Sequence, residues 1–408
     1  MKSVYNLHLR LIYALIFLFS LANSFVMIAI PLFAYSLGAS QLEIGILGFM
    51  YLGIQIPLST YFGRLSDKAG RMKLLALSLL CSSLALTLLT ISNSLSLLYV
   101  IRLIGGFAAS IFWPITGALA ADEAPPGKMV KVMGLSSVSW GISSVIGPTI
   151  SGYLIDYFQN FTVTFLVGAI ATLATYPIIT YISRTNHKDG EERPHSLMEP
   201  SVIEAPDVDK NHRQIFAWSL AAVAFYGLIS GVVWNMFPVY SVIIGFSKTV
   251  TGFFSTIANV MSILLFLVIG RLSERLTKLK LCILGASFCV AVIMVPLTKD
   301  FTPIAFSIAM VGLGTAIIYP TSRAAVLELS SAKRGSYIGV YESIVTGGMS
   351  AGSFLGGVLA GFVALEAPYY FSSILAVAVI LLLTYFVRRN GRDQHGNESQ
   401  TRAKGRTD

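Results

Sequence analysis

Apolar residues along this chain fall into blocks of roughly twenty, separated by short polar stretches. That is the length a helix needs to cross about 30 Å of hydrocarbon. The blocks predict spans at 11–37, 41–62, 74–92, 97–120, 133–157 and 161–183, then 214–243, 249–270, 279–297, 302–327, 335–361 and 369–387. At that depth no water satisfies the backbone, so every N–H and C=O must pair within its own element, and blocks this long read as spanning helices. The predicted fold class is therefore an all-α membrane protein with twelve transmembrane helices. They form two six-helix bundles, 1–184 and 214–388, joined by a cytoplasmic linker at 185–213 and followed by a disordered tail at 389–408. The linker mixes Glu191, Glu192, Glu199, Glu204, Asp207 and Asp209 with Pro194, Pro200 and Pro206. The first block is too long for a signal peptide, lacks a small-residue cleavage site and contains Pro31, so it counts as the first helix.

Composition narrows the class. With 55% hydrophobic and 12% charged residues among 408, the chain is no soluble enzyme. Its net charge of +9 would suit nucleic acid, but the placement of the charge reads as topology. With a cytoplasmic amino terminus, the inner segments collect residues such as Lys2, Arg10, Arg64, Lys68, Lys128, Lys131, Arg271 and Lys333, whereas the outer loops hold Lys248 and Lys299. This asymmetry places both termini in the cytoplasm of a prokaryotic-looking plasma membrane protein. Cys81, Cys282 and Cys289 sit in apolar blocks and imply no disulfide framework. The five histidines have no metal-ligand spacing, and no phosphate-cradling or hydrolase motif is present. We therefore expect no catalytic residues, metal or cofactor. The expected partners are the bilayer and a small solute, with no nucleic acid, and the chain is expected to be a monomer.

The two halves repeat each other at an offset near 207. Gly63-Arg-Leu-Ser-Asp67 recurs as Gly270-Arg-Leu-Ser-Glu274, and Pro31, Gly38, Ser40 and Gly45 recur as Pro238, Gly245, Ser247 and Gly252. Beyond the loops, Pro114 maps to Pro320 at 206, and Gly134, Gly147 and Gly152 map to Gly339, Gly352 and Gly357 at 205. Parallel repeats of this kind enclose a solute site at their interface near mid-membrane, the architecture of alternating access.

Between the second and third spans lies Gly63-Arg-Leu-Ser-Asp67-Lys68-Ala-Gly70-Arg71-Met-Lys73, a charged turn that resembles the loop motif of the major facilitator superfamily, with Met72 its one departure. The resemblance extends from Leu11 to Arg388 and implies a twelve-helix secondary transporter similar to the drug:proton antiporter group. It also implies that Asp67 caps a helix of the opposite half, and that Arg71 pairs with an acid at the inner end of helix four, Asp122 or Glu123. A carboxylate at a helix amino end, linked through Arg to a second carboxylate, can hold one conformation and release another. Glu274, Lys278 and Glu328 form a degenerate copy in the second half. The plainer reading of these basic residues is topological anchoring, which we prefer for Lys68, Lys73 and Lys280.

Helix four carries Arg102 ahead of Gly106, Ala108 and Ala109, resembling a second family motif, although Gly105 replaces the usual Gln. An arginine this deep faces the bundle or a wet cavity; it is either functional or a structural partner of Asp156. Helix five, with Gly134, Ser143, Gly147, Pro148, Ser151 and Gly152, is similar to the family's antiporter motif, with Ser twice in place of Gly. Helix eleven repeats the spacing with Gly348, Gly352 and Gly356. Such rows suit either a rocking interface or static packing. Glu342 and Arg323 lie at similar depth, so they either neutralise each other or provide a proton site, and we favour the pair. Helices one, four and seven have no acid at mid-span.

In the family, helices one, four, seven and ten line the cavity. The candidates here are Ser20, Asn23 and Met27, then Phe107 and Trp113, then Tyr226, Trp234 and Asn235, and finally Tyr319. Aromatics, amides and methionine suit bulky, partly apolar solutes. The expectation is proton-coupled efflux of drug-like or amphipathic compounds, driven by the proton gradient. The alternatives are uptake of a sugar or organic acid, and a facilitator-like sensor that moves nothing.

Overall fold

The computed structural model describes residues 2–125, 129–186, 210–328 and 334–404, without the side chains of 2–6, 67, 129–131, 185–186, 210–211, 267, 334–338 and 390–404. The described residues form helices and no strands. Fifteen α-helices and one 3₁₀ turn join into twelve rods, because three of the rods are interrupted. In the first half these are α1 (Lys2–Ser36), α2 (Gln41–Gly53 and Gln55–Ala69), α3 (Arg71–Ile91), α4 (Leu95–Asp122), α5 (Met129–Phe158) and α6 (Thr162–Leu173 and Tyr176–Asn186). In the second half they are α7 (Lys210–Ile243), α8 (Lys248–Arg275), α9 (Lys278–Cys289, a 3₁₀ turn at Val290–Ile293, and Met294–Leu297), α10 (Phe301–Leu327), α11 (Arg334–Phe362) and α12 (Ala367–Lys404).

Eleven of these rods are long and apolar enough to cross a membrane. The exception is α5, whose 30 residues are ample in length but rich in serine and glycine. Two expectations fall at the edges of the described residues. Helix α12 runs to Lys404, into the tail expected from 389, with no side chain described beyond Arg389. The linker expectation at 185–213 falls mostly outside the described residues, with helix reaching Asn186 and resuming at Lys210.

The three interruptions share one cause. Pro57, Pro177 and Pro296 cannot donate to the carbonyls four residues back, at Gly53, Leu173 and Val292, and each rod breaks or tightens there. Pro31, Pro114, Pro148, Pro238 and Pro320 lie inside unbroken helices.

The repeat is visible in the backbone. Gly38 and Gly245 adopt φ of 85° and 108°, values that favour glycine, and so turn the chain from α1 into α2 and from α7 into α8. Two residues on, Ser40 and Ser247 cap the next helix with the same dihedrals, φ −68° and ψ 161°. Their hydroxyls accept from Glu43 N at 3.3 Å and Val250 N at 3.2 Å. We call the end of the bundle that carries the start of α1 proximal and the opposite end distal.

Each half has its own core. Trp218, Phe225, Phe254, Cys282, Ile308 and Tyr369 pack the second half, and Ile12, Phe19, Phe112, Ile115 and Ile179 the proximal part of the first. A third cluster crosses the boundary distally, with Met236 and Val239 of α7 buried against residues of α1 and α2 such as Ala29, Ile30 and Ile44. Cys282 and Cys289 are buried free thiols and Cys81 is half-buried.

Candidate functional site

The first half brings three polar side chains together. Asn23 on α1 donates to the Phe19 carbonyl at 2.9 Å and accepts from the Tyr51 hydroxyl of α2 at 3.2 Å. Arg102 on α4 donates from Nε to the Leu47 carbonyl at 3.1 Å and lays its guanidinium 4.1 Å from the centre of the Tyr51 ring. No carboxylate reaches it within ion-pair distance among the described residues. The expected pair with Asp156 is therefore absent. Asp156 lies at the distal end of α5, where the free N–H groups opening α8 hold its carboxylate instead. Tyr51, which links Asn23 to Arg102, escaped the sequence reading, because nothing in α2 alone marks it as facing α1 and α4.

The second half holds a charged pair. Arg323 on α10 lies 3.3 Å from Glu342 on α11, and the Tyr319 hydroxyl donates to the same carboxylate oxygen at 3.0 Å. Tyr226 of α7 packs its ring 5.2 Å from that of Tyr319. Both charged side chains stay open to solvent, at 41% and 38% exposure, although they sit inside helices reaching deep into the bundle. Ion pairs this accessible are weakly stabilising and free to exchange partners.

Farther toward the distal end is a pocket walled by the second half and closed on one side by Met27 of the first. Met27 of α1 faces Ser230, Trp234 and Phe237 of α7, Ser255, Asn259 and Ser262 of α8, and Thr315 of α10. Of the sequence candidates, Met27 and Trp234 line it. Ser20 is buried and its hydroxyl finds no partner among the described residues. Phe107 meets Phe62 edge-on at 5.2 Å within the first half, and Trp113 is 37% exposed against Phe112. Asn235 departs from expectation. Its amide donates to Gly231 O at 3.2 Å and its oxygen lies 2.5 Å from where a Cβ on Gly48 would stand, so it fills the α2 crossing rather than the pocket. The polar stripe of α8 was missed, although Ser255, Asn259 and Ser262 follow the i, i+4, i+7 spacing of one helical face.

Hydrogen bonds tie the two halves together in the distal part. Thr149 and Thr256 share one at 2.8 Å, Asn259 donates to Ser144 O at 3.0 Å, and Ser350 and Ser353 donate to Phe49 O and Gly45 O at 3.1 Å each. At the proximal end the ion pairs between described side chains run within each half. Arg71 binds Asp122, Glu123 faces the buried His8 at 3.6 Å, and Lys278 binds Glu328. Glu274 is exposed, and the side chain of Asp67 lies outside the described residues; the charged turn expected at 63–73 is mostly helix, with Gly63 inside α2 facing Pro114 and Gly70, at φ 91°, alone separating α2 from α3. The two halves are thus joined distally, while Arg323 and Glu342, nearer the proximal end, keep accessible side chains.

The glycine rows divide between two faces. Gly147 packs on Ser24 of α1, and Gly348, Gly352 and Gly356 pack on α7 at Gly227, Leu228 and Met236; all of these contacts lie inside one half. Gly152 and Pro148 of the expected row meet the other half, Gly152 at the backbone of Lys248 and the carbonyl of Pro148 at Gly252. At Gly134 a Cβ would meet nothing within 4 Å, and the face of α5 that packs at this level carries Val132 and Met133 instead.

Two repeated helical bundles, apolar on the outside, that enclose a polar and aromatic cleft define a membrane transport protein. The family model described as Major Facilitator Superfamily matches residues 12–300 and 219–406, and the chain belongs to that family of transporters. It is 23% identical to a "Multi-drug resistance efflux pump PmrA homolog" of Lactococcus lactis subsp. lactis, covering 88% of this chain and 89% of that one. It is also 23% identical to the "Quinolone resistance protein NorA" of Staphylococcus aureus, covering 92% of this chain and 96% of that one. Among solved structures, a POT family transporter in complex with 5-aminolevulinic acid superposes with a TM-score of 0.77 at 13% identity, over 93% of this chain and 96% of that one.

Proposed function

We propose that this transporter exports bulky, partly apolar solutes by alternating access, with the proton gradient as driving force and the proximal end in the cytoplasm. The observation that carries this reading is the pocket walled by Met27, Trp234 and Phe237 together with Asn259 and Thr315, under a distal seal. Apolar and aromatic walls with a few polar groups favour amphipathic ligands, and a cavity of about 50 Å³ means that the halves must part to admit a bulky one. One relative is named as an efflux pump and another as a quinolone resistance protein, which supports the direction. Glu342 is the coupling candidate. Its accessible carboxylate lies 3.3 Å from Arg323 and accepts from the Tyr319 hydroxyl at 3.0 Å, so a change in its charge would be felt on α10.

One observation favours a second reading. Arg102 has no acid partner among the described residues, so an anionic solute taken up from outside could supply the missing charge. Proteoliposome flux with and without a pH gradient separates the two, using a cationic amphiphilic dye and a small carboxylate as probes. Export predicts dye movement driven by the gradient and reduced by Glu342→Gln to its gradient-free level. Carboxylate flux abolished by Arg102→Gln would favour the second reading, and binding without flux of either probe would favour a sensor.

A further inference from the structure

We propose that Asp156 is a one-sided distal latch that sets how long the cleft stays closed at the distal end; the idea rests on the alternating-access reading. Asp156 belongs to the last turn of α5, in the first half, while the partners of its carboxylate, Lys248 and Thr249, belong to the first turn of α8, in the second half. Oδ2 accepts from Thr249 N at 2.7 Å and from the Thr249 hydroxyl at 2.6 Å, Oδ1 accepts from Lys248 N at 3.3 Å, and Lys248 Nζ lies 3.8 Å from Oδ1. A carboxylate in the last turn of a helix opposes that helix's own dipole, so α5 gives no reason for an acid here. The start of α8 supplies one, with free N–H groups and the positive end of its dipole. The contact spans the two bodies that must separate for the distal end to open, and opening strips the carboxylate of these partners together.

The fold contains its own control. The repeat maps α5 against α8 onto α11 against α2, and the backbone contacts coincide. Gly152 meets Lys248 as Gly357 meets Gln41 O at 2.7 Å, and Gly252 meets Pro148 as Gly45 meets Ser353 O at 2.7 Å. The position matching Asp156 is Gly361, where a Cβ would stand 3.5 Å from Leu42 N, facing the start of α2 as Asp156 faces the start of α8. There Ser40 and Glu43 cap α2 from within its own half, Glu43 Oε2 accepting from Ser40 N at 2.8 Å. Both crossings are closed by backbone contact, and one of them carries a charge across the boundary. Asp156 is thus a positioning residue, acting on the solute through the gate and not by touching it.

Spin-label distances on the full chain in nanodiscs test this, with Cys81, Cys282 and Cys289 replaced by Ser. One label pair, Asn93→Cys with Lys299→Cys, reads the distal end; the other, Lys73→Cys with Lys280→Cys, reads the proximal end. Asp156→Ala is expected to raise the distal-open to distal-closed ratio about tenfold, with the proximal pair shortening in step. Asp156→Asn, which keeps an acceptor and loses the charge, should give a smaller rise. Gly361→Asp, which installs the second latch, should lower the ratio. An unchanged ratio in Asp156→Ala, or a shift in the same direction for Asp156→Ala and Gly361→Asp, overturns the proposal. Should Asp156→Ala fail to fold, Gly361→Asp decides alone: a lowered ratio supports the latch, and an unchanged or raised one refutes it. Flux in the same preparations keeps the two readings apart. Distances that respond while no solute moves would remove the export reading and leave the latch, whereas gradient-driven flux with unresponsive distances would do the reverse.

Discussion

The α5/α8 and α2/α11 crossings are one joint built twice, and they differ where backbone geometry stops dictating the residue. At Gly152 and Gly357, and again at Gly252 and Gly45, a carbonyl of the facing helix occupies the place a side chain would need. Small residues are therefore obligatory at those four points, since the helices approach until main chain meets main chain. Four residues beyond each outer glycine the constraint relaxes, and one copy holds Asp156 while the other holds Gly361. The duplicated scaffold fixes the contact, and the difference in charge sits at the first position free to vary.

The largest effect should come from crowding the joint itself. Gly152→Ala drives a methyl into the carbonyl of Lys248, 2.6 Å from its carbon, and neither partner can yield because both atoms are main chain. Overpacking of this kind costs about 1–3 kcal/mol. We expect flux in proteoliposomes to fall by at least about tenfold, with the distal-closed population depleted, while each half keeps its own core. Gly357→Ala should produce a similar but milder loss, its nearest clash being 2.7 Å from Gln41 O. Wild-type flux in both variants would break the view that closure depends on these contacts.

A smaller effect is expected from the hydrogen bonds that accompany them. Asn259→Leu removes the donation to Ser144 O at 3.0 Å across α5/α8, and Ser350→Ala removes the donation to Phe49 O at 3.1 Å across α2/α11. Polar contacts between membrane helices contribute about 0.6 kcal/mol on average. Each variant should therefore shift the gate equilibrium by about threefold, readable from the distal label pair. A tenfold shift in Asn259→Leu alone would mean that the α5/α8 joint relies on its hydrogen bonds as well as its charge.

Much of this architecture is readable from residue order. Block length gives the spans, and the offset near 207 anticipates that Gly38 and Gly245 turn the chain alike. Depth along the helix puts Arg323 beside Glu342, and they lie 3.3 Å apart. What stayed hidden depends on the rotation of one helix against another. The glycine row of α11 was read as one sliding face, yet Gly348, Gly352 and Gly356 pack on α7 while Gly357, one residue on, meets α2. Period alone gives a face, not its neighbour. Asp156 was matched to Arg102 because both are charges in or near a span, but the partner it found is the start of a helix, which no residue type announces. Likewise Tyr51 carries no mark of its position, and the helix breaks followed from Pro57, Pro177 and Pro296, whereas five other prolines left their helices whole.

The smallest predicted effect tests how far the joint extends. Gly134 and Gly339 are repeat partners near the proximal starts of α5 and α11, and at each a Cβ would meet nothing within 4 Å. Glycine inside a helix costs roughly 0.5–1 kcal/mol relative to alanine. Gly134→Ala and Gly339→Ala should therefore leave flux unchanged and raise the melting temperature in detergent slightly. The distally closed arrangement leaves both glycines open, but rocking the halves about the pocket brings the proximal ends together. If either substitution lowers flux severalfold while the melting temperature still rises, that glycine is needed in the opposite conformation. The close backbone approach seen at Gly152 and Gly357 would then have a proximal counterpart on the same two helices.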